Sequence, residues 1–175
     1  MRRLAVWKTL LVVLFISFPA AVLAQGLSPI LSTEELSKSL KDPAVIVIDI
    51  RKVEDYKAGH IPGAIFMDTY DVENGPSREP MYDKSHDANV KSNPDLQAFL
   101  GGVGISADKT VVLYGNDIMS CGRVAWALLL AGVKGVRVLN GGYDAWIKNG
   151  GAAEGKANTL EPVAFGESAG RPDFL

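Results

Sequence analysis

The sequence predicts an α/β fold: a parallel sheet of about five strands with helices on both faces. Two strand-like runs, Val45-Ile46-Val47-Ile48 and Val111-Val112-Leu113, are continuously apolar rather than alternating, as expected of strands covered on both faces. Helical patterns separate the strand-like runs, and short glycine-bearing turns join them. Such an order implies right-handed βαβ crossovers, and ligands of such sheets bind at the carboxyl ends of the strands.

Each element has its own signal. Ser32-Thr33-Glu34-Glu35 reads as a capping box, with Ser32 as N-cap and Glu35 reaching back; Lys41-Asp42-Pro43 ends the helix it opens. A strand over 44–49 closes on Asp49, and a short polar helix over 53–58 stops at Gly59. Residues 64–67 form a second brief strand. The stretch 68–93 is long and polar, with Gly75, Pro76 and Pro80, and is expected to be surface loop with at most a short helical turn and a solvated His86. Leu96, Phe99, Leu100 and Val103 share one helix face, entered from Asn93-Pro94-Asp95 and closed by Gly101, Gly102 and Gly104. A strand over 110–114 leads towards a helix over 121–131, apolar nearly all round and therefore buried, with Gly132 as its cap. Residues 136–139 form a strand, and Asn140-Gly141-Gly142 turns into a helix carrying Tyr143, Trp146 and Ile147. Trp126 and Trp146 are expected in the core. Residues 152–175, rich in glycine and polar residues without a period, read as a linker-like tail.

The start of the chain has a separate reading. Arg2, Arg3 and Lys8, an apolar run over 10–16, and Val22-Leu23-Ala24 have the order of a secretory leader over 1–24 cleaved after Ala24. The apolar run is shorter than the roughly 20 residues of a membrane-spanning helix. The expected mature protein is exported to the periplasm, with one domain over 25–151. The leader takes three of 18 basic residues and none of 20 acidic ones, so the mature charge is −5. That balance gives no reason to expect nucleic acid or an anionic membrane as partner, while leaving room for a locally bound small anion. Cys121, the sole cysteine, rules out an internal disulfide, and with His60 and His86 it makes no metal-ligand cluster. No metal or cofactor is expected.

Val47-Ile48-Asp49-Ile50-Arg51, then Glu54-Asp55-Tyr56, then Gly59-His60-Ile61-Pro62-Gly63-Ala64 resembles the first signature of the rhodanese sulfurtransferase family. Val138-Leu139-Asn140-Gly141-Gly142-Tyr143-Asp144-Ala145-Trp146 resembles its closing signature, with asparagine where an acid is more usual. The resemblance covers about residues 30–150 and is nearest to the non-catalytic domains of exported multi-domain sulfurtransferases. Asp49, Arg51 and His60 are expected to be structural: the first two tie down a strand end, and His60 packs at a rigid turn. In active members, the resemblance implies, a cysteine ends the strand before the buried helix. Loop N–H groups and the helix N-terminus then stabilise its thiolate and persulfide.

This chain departs from the pattern there. Gly115 stands at the expected nucleophile position, and Asn116, Asp117, Ile118, Met119 and Ser120 follow as the anion or substrate loop. Glycine has no nucleophile, and Asp117 adds negative charge where an anionic donor would approach. Cys121 is the remaining candidate, expected in the first helical turn where the macrodipole lowers a thiol pKa, with Arg123 adding positive charge. Three roles stay open for Cys121: a small core filler, a displaced sulfur carrier, or a thiol that pairs with a partner. A phosphatase loop is excluded, since Ala127 stands where its arginine would be. Two functions follow from the resemblance. One is sulfur transfer from thiosulfate or a related donor through a cysteine persulfide. The other is an inactive module that docks a catalytic sulfurtransferase partner or holds a small sulfur-bearing anion.

Overall fold

The computed structural model describes residues 28–74, 89–168 and 170. The expected leader, His86 and residues 171–175 lie outside them.

Among the described residues the sheet has five strands: β1 (Ile30–Leu31), β2 (Val45–Asp49), β3 (Ile65–Phe66), β4 (Thr110–Tyr114) and β5 (Gly135–Leu139). Their order is β1-β5-β4-β2-β3, and every pairing is parallel. The helices are α1 (Thr33–Ser39), α2 (Val53–Ala58), α3 (Asn93–Gly102), α4 (Ile118–Ala131) and α5 (Gly142–Lys148). The α/β expectation therefore holds. The sequence reading did not anticipate β1, whose two residues carry no period and become a strand only by pairing with Val138 and Leu139.

Alternation along β2 and β4 divides the core between the two faces. Ile46, Ile48, Val111 and Leu113 pack with Leu96 and Leu100 of α3 and with Val124, Ala127 and Leu128 of α4. Val47, Val112 and Tyr114 pack on the other face with Leu36 of α1 and Trp146 of α5. Leu36, Leu96, Leu100 and Leu128 are fully buried, each contributing about 2 kcal/mol of transfer free energy. The α1 capping box forms as expected, with the Ser32 hydroxyl oxygen accepting the Glu35 N–H and the Glu35 carboxylate accepting the Ser32 N–H. Trp146 is buried, and Trp126 packs part-buried against the core.

The polar stretch after β3 contains one short 3-10 turn, Thr69–Val72, closed by a reciprocal cap between Asp68 and Asp71, within the short helical turn expected there; Glu73 then bridges to Val90. Two expectations need correction. First, α4 begins at Ile118 rather than Cys121, because Asp117 caps it and draws 118–120 into its first turn. Second, residues 152–168 are not a free linker. They strap the domain: the His60 and Glu154 backbones exchange hydrogen bonds at 2.9 Å each way, Val163 N–H donates to Gly101 O at 2.9 Å, and Ala107 N–H donates to Phe165 O at 2.7 Å. Phe165 enters the α3/α4 core. The strap passes so close to Gly104 (φ +85°) that a Cβ there would stand 2.3 Å from Leu160 Cβ, so glycine is required on both steric and conformational grounds.

Candidate functional site

The carboxyl ends of β2, β4 and β5 converge on a cleft of about 460 Å³. The parallel register sets Asp49 opposite Tyr114, so the residues that follow, Ile50-Arg51 and Gly115-Asn116, enter the cleft region together. The third wall is Asn140-Gly141-Gly142-Tyr143, the turn from β5 into α5.

The floor is an ion pair between two aromatic rings. Asp49 is fully buried. Arg51 Nη2 meets Asp49 Oδ2 at 2.7 Å, Arg51 Nε meets Oδ1 at 3.0 Å, and the Arg51 N–H adds a bond to Oδ1 at 2.9 Å. A further bond from Nη2 to Gly59 O at 2.6 Å ties the pair to the end of α2. The guanidinium lies 4.0 Å from the Tyr143 ring centroid and 5.5 Å from that of Tyr114. Burial works against the charge on Arg51, but the hydrogen bonds and charge of Asp49 win and raise its pKa. Burial, with the Asp49 charge adding to it, also raises the Tyr114 phenol far above its usual range, so Tyr114 stays protonated. Its oxygen accepts the Ile61 N–H at 3.1 Å. Asp49 and Arg51 are bonded to each other, so Arg51's charge is already matched within the protein.

Gly115 follows β4 directly, at the head of the loop. Asp117 turns back on the first turn of α4, where Oδ1 accepts the Ser120 N–H at 2.7 Å and Oδ2 accepts the Ser120 hydroxyl at 2.8 Å. These bonds lower the Asp117 pKa, so a permanent carboxylate sits at the helix N-terminus. Ile118 and Met119 point outward, 65% and 80% exposed. Of the residues expected to form the substrate loop, Gly115, Asn116, Asp117 and Ile118 line the cleft. Ser120 instead lines, with Asn116 and Asp117, a neighbouring hollow of about 390 Å³ beside Lys52 and Thr69.

Cys121 reaches the same cleft but not in the expected state. It is the fourth residue of α4, its side chain is 3% exposed, and it belongs to the α3/α4 core. Burial, with the Asp117 charge adding, pushes the thiol up to about 11. The macrodipole expectation is therefore corrected: one helical turn in, facing the core and beside a carboxylate, the sulfur is held as a neutral thiol. Arg123 is also corrected. It leaves the cleft for Glu73, with Nη2 and Nε both 3.1 Å from Oε1, and lies 5.8 Å from the Trp126 ring.

His60 lies away from the cleft. It is fully buried, stacks on Tyr56 at 3.9 Å between ring centroids, and donates from Nδ1 to the Tyr56 carbonyl at 2.8 Å. Its other nitrogen faces Asn158 and Glu154 of the strap. Ile50, Glu73, Glu154 and Asn158 escaped the sequence reading. Each partners residues far away in the chain, and no local signal marks them. A larger hollow of about 590 Å³ between Ser32, Ser37, Trp146 and Asn149 contains none of the expected site residues.

Comparison with known proteins agrees with this geometry. The rhodanese-like domain profile matches residues 32–149. The thiosulfate sulfurtransferase YnjE of Escherichia coli (strain K12) is 44% identical over 91 residues, covering 52% of this chain and 19% of that protein. Its crystal structure superposes with a TM-score of 0.57 at 38% identity, covering 70% of this chain and 28% of the other. The thiosulfate sulfurtransferase of Rattus norvegicus is 29% identical over 151 residues, covering 78% of this chain and 48% of that protein. The E. coli 3-mercaptopyruvate sulfotransferase SseA, at 23% identity and a TM-score of 0.67 over 83% of this chain and 58% of the other, shares the fold. The chain thus spans less than half the length of the two curated relatives.

Proposed function

Because the chain belongs to the rhodanese-like sulfurtransferase family, we propose that it is a non-catalytic member, an exported module that works beside a catalytic sulfurtransferase domain. One observation carries this reading: Gly115 follows the last residue of β4 directly, and the helix N-terminus beyond it is closed by the protein's own carboxylate, Asp117. A thiosulfate dianion entering the cleft meets no nucleophile at 115, meets the charge of Asp117, and finds Arg51 already paired with Asp49. Ile118 at the cleft and its exposed neighbour Met119 suit contact with a protein better than retention of an anion. The curated relatives, both thiosulfate sulfurtransferases, extend well beyond the matched part, which supports work beside a further domain. The leader pattern over 1–24 supports export.

Cys121 supports a second reading, a displaced persulfide carrier, because it lines the same cleft as Gly115. Its burial and raised pKa weigh against this. One experiment separates the two: thiosulfate-to-cyanide turnover by the chain, with intact-mass measurement after thiosulfate alone. The non-catalytic reading expects no turnover and no added sulfur. Turnover that disappears in Cys121→Ser, together with one sulfur added to the native protein, would establish the carrier instead.

A further inference from the structure

We propose that the nucleophile's place is filled rather than vacant: Ile50 takes its room, and Cys121 stands where it would discharge any sulfur loaded there. This rests on the non-catalytic reading above and goes beyond it, because it assigns the silence of the site to residues other than Gly115.

A Cβ built at position 115 lies 2.8 Å from Ile50 Cγ1, 3.2 Å from Ile50 Cδ1 and 3.3 Å from Cys121 Sγ. Residue 115 continues the face of β4 that carries Val111 and Leu113, and Ile50 and Cys121 belong to the same core cluster. Ile50 is 6% exposed and cannot swing into solvent without leaving that core. Its amide is also held, donating to the Tyr114 carbonyl at 2.9 Å. A side chain at 115 therefore crowds the Ile50 Cγ1 methylene, one bond from the branched Cβ, rather than a free side-chain end.

The sulfur distance has a chemical consequence. In a disulfide the Cβ of one cysteine stands about 3 Å from the sulfur of the other, so a thiol at 115 falls within bonding reach of Cys121. Loading such a thiol would proceed by attack of its thiolate on the outer sulfur of thiosulfate. The sulfur–sulfur bond breaks, sulfite leaves with the bonding pair, and a persulfide remains. Cys121 then attacks the inner sulfur. The terminal sulfur departs with the broken bond's electrons and takes the Cys121 proton, leaving as hydrosulfide. Two thiols are oxidised to a disulfide and the transferred sulfur is reduced, with no other oxidant required. For a cysteine at 115 this exchange competes with any outside acceptor, because Cys121 is already within bonding reach.

The test uses the full chain with Gly115→Cys, Gly115→Cys/Cys121→Ser, Gly115→Ser, Ile50→Ala and Gly115→Ser/Ile50→Ala, each checked for folding by thermal melting. After thiosulfate, Gly115→Cys should retain no sulfur by intact mass, release hydrosulfide, and show two thiols only after reduction. Gly115→Cys/Cys121→Ser should retain one sulfur, at least about tenfold more than the single variant. Gly115→Ser brings the same Cβ without a thiol. It should lower the melting temperature, and Ile50→Ala should cost less in its background than in the native one. Stable persulfide on Gly115→Cys with Cys121 still free would overturn the discharge role. Additive effects of Gly115→Ser and Ile50→Ala would overturn the crowding. Sulfur acquired by the unaltered chain would overturn the non-catalytic reading, and is read separately from the variants.

Discussion

Asp117 closes on Ser120 through both carboxylate oxygens, one on the backbone N–H at 2.7 Å and one on the hydroxyl at 2.8 Å. An N-cap of this kind contributes about 1 kcal/mol. Asp117→Ala should lower urea-measured stability by that order, and Asp117→Asn by clearly less. The folded carboxyl pKa is depressed, so its contribution is present above the ordinary aspartate value near 4 and is lost as pH falls through the folded value. The gap between the native chain and Asp117→Ala should therefore narrow below about pH 4. A gap unchanged from neutral to strongly acid pH would rule this out.

Cys121 should behave as a protected thiol. With its pKa pushed to about 11, its thiolate population at neutral pH is on the order of 300-fold below that of a free cysteine, and burial slows reagents further. Alkylation by iodoacetamide should be slow in the folded chain and rapid in denaturant. The folded pKa is raised, so the neutral thiol's contribution is complete below the ordinary value near 8.5 and fades as pH rises towards 11. Stability should fall over that alkaline window by an amount on the order of 3 kcal/mol, and Cys121→Ser should remove that part of the slope. Fast labelling of the native fold at pH 7 would contradict the assignment.

The Asp49–Arg51 pair is a case in which removing one partner costs more than the pair contributes. Asp49→Ala would leave the Arg51 guanidinium, at 8% side-chain exposure, facing a buried gap between Tyr114 and Tyr143. A loss of about 3–5 kcal/mol is expected, enough to unfold a marginal domain. Asp49→Asn keeps the shape and part of the hydrogen bonding and should cost less. Equal melting temperatures for the native chain and Asp49→Ala would refute the structural role.

The strap should matter to the domain it crosses. Phe165 is 8% exposed, and Phe165→Ala should cost about 3 kcal/mol. Hydrogen exchange offers a local check, because the Ala107 and Val163 amides are bonded across the strap junction at 2.7 and 2.9 Å. Phe165→Ala should speed exchange at both before it affects Val112 in the central strand. Unchanged protection at Ala107 and Val163 would mean that the strap is held by other contacts.

Glu154 and Asn158 hold the other end of the strap. Gly63 N–H and the Asn158 side-chain amide each donate to Glu154 Oε1 at 2.6 Å, and the Asn158 N–H donates to the Tyr56 hydroxyl at 2.9 Å. The Gly63 bond first, then that of Asn158, lowers the Glu154 pKa. Its contribution is thus present above the ordinary glutamate value and lost as pH falls through the folded one. Glu154→Gln should flatten the stability profile between about pH 5 and 3, measured by denaturant melts. An identical profile in the variant would dismiss Glu154 as an acid-sensitive anchor.

Period and punctuation alone were enough to read the α/β class, four of the five strands, the α1 capping box and the glycine cap of α4, while the departure at Gly115 was visible only against the family resemblance. These are local properties: an apolar run, a cap residue and a turn glycine each act within a few positions of themselves. The site was only partly legible. The loop order Gly115 to Cys121 was visible, but the start of α4 was set by how Asp117 folds back, and the state of Cys121 by the direction its side chain faces. Two-residue β1 and the strap over 152–168 have no period of their own, so their structure comes entirely from what they pair with. Arg123 looked like a site cation in sequence and became half of an ion pair with a residue 50 positions away. The tertiary fold also decided that the room beside Gly115 is occupied by Ile50 and Cys121. That outcome depends on two chain segments meeting at the end of a sheet, which no local pattern encodes.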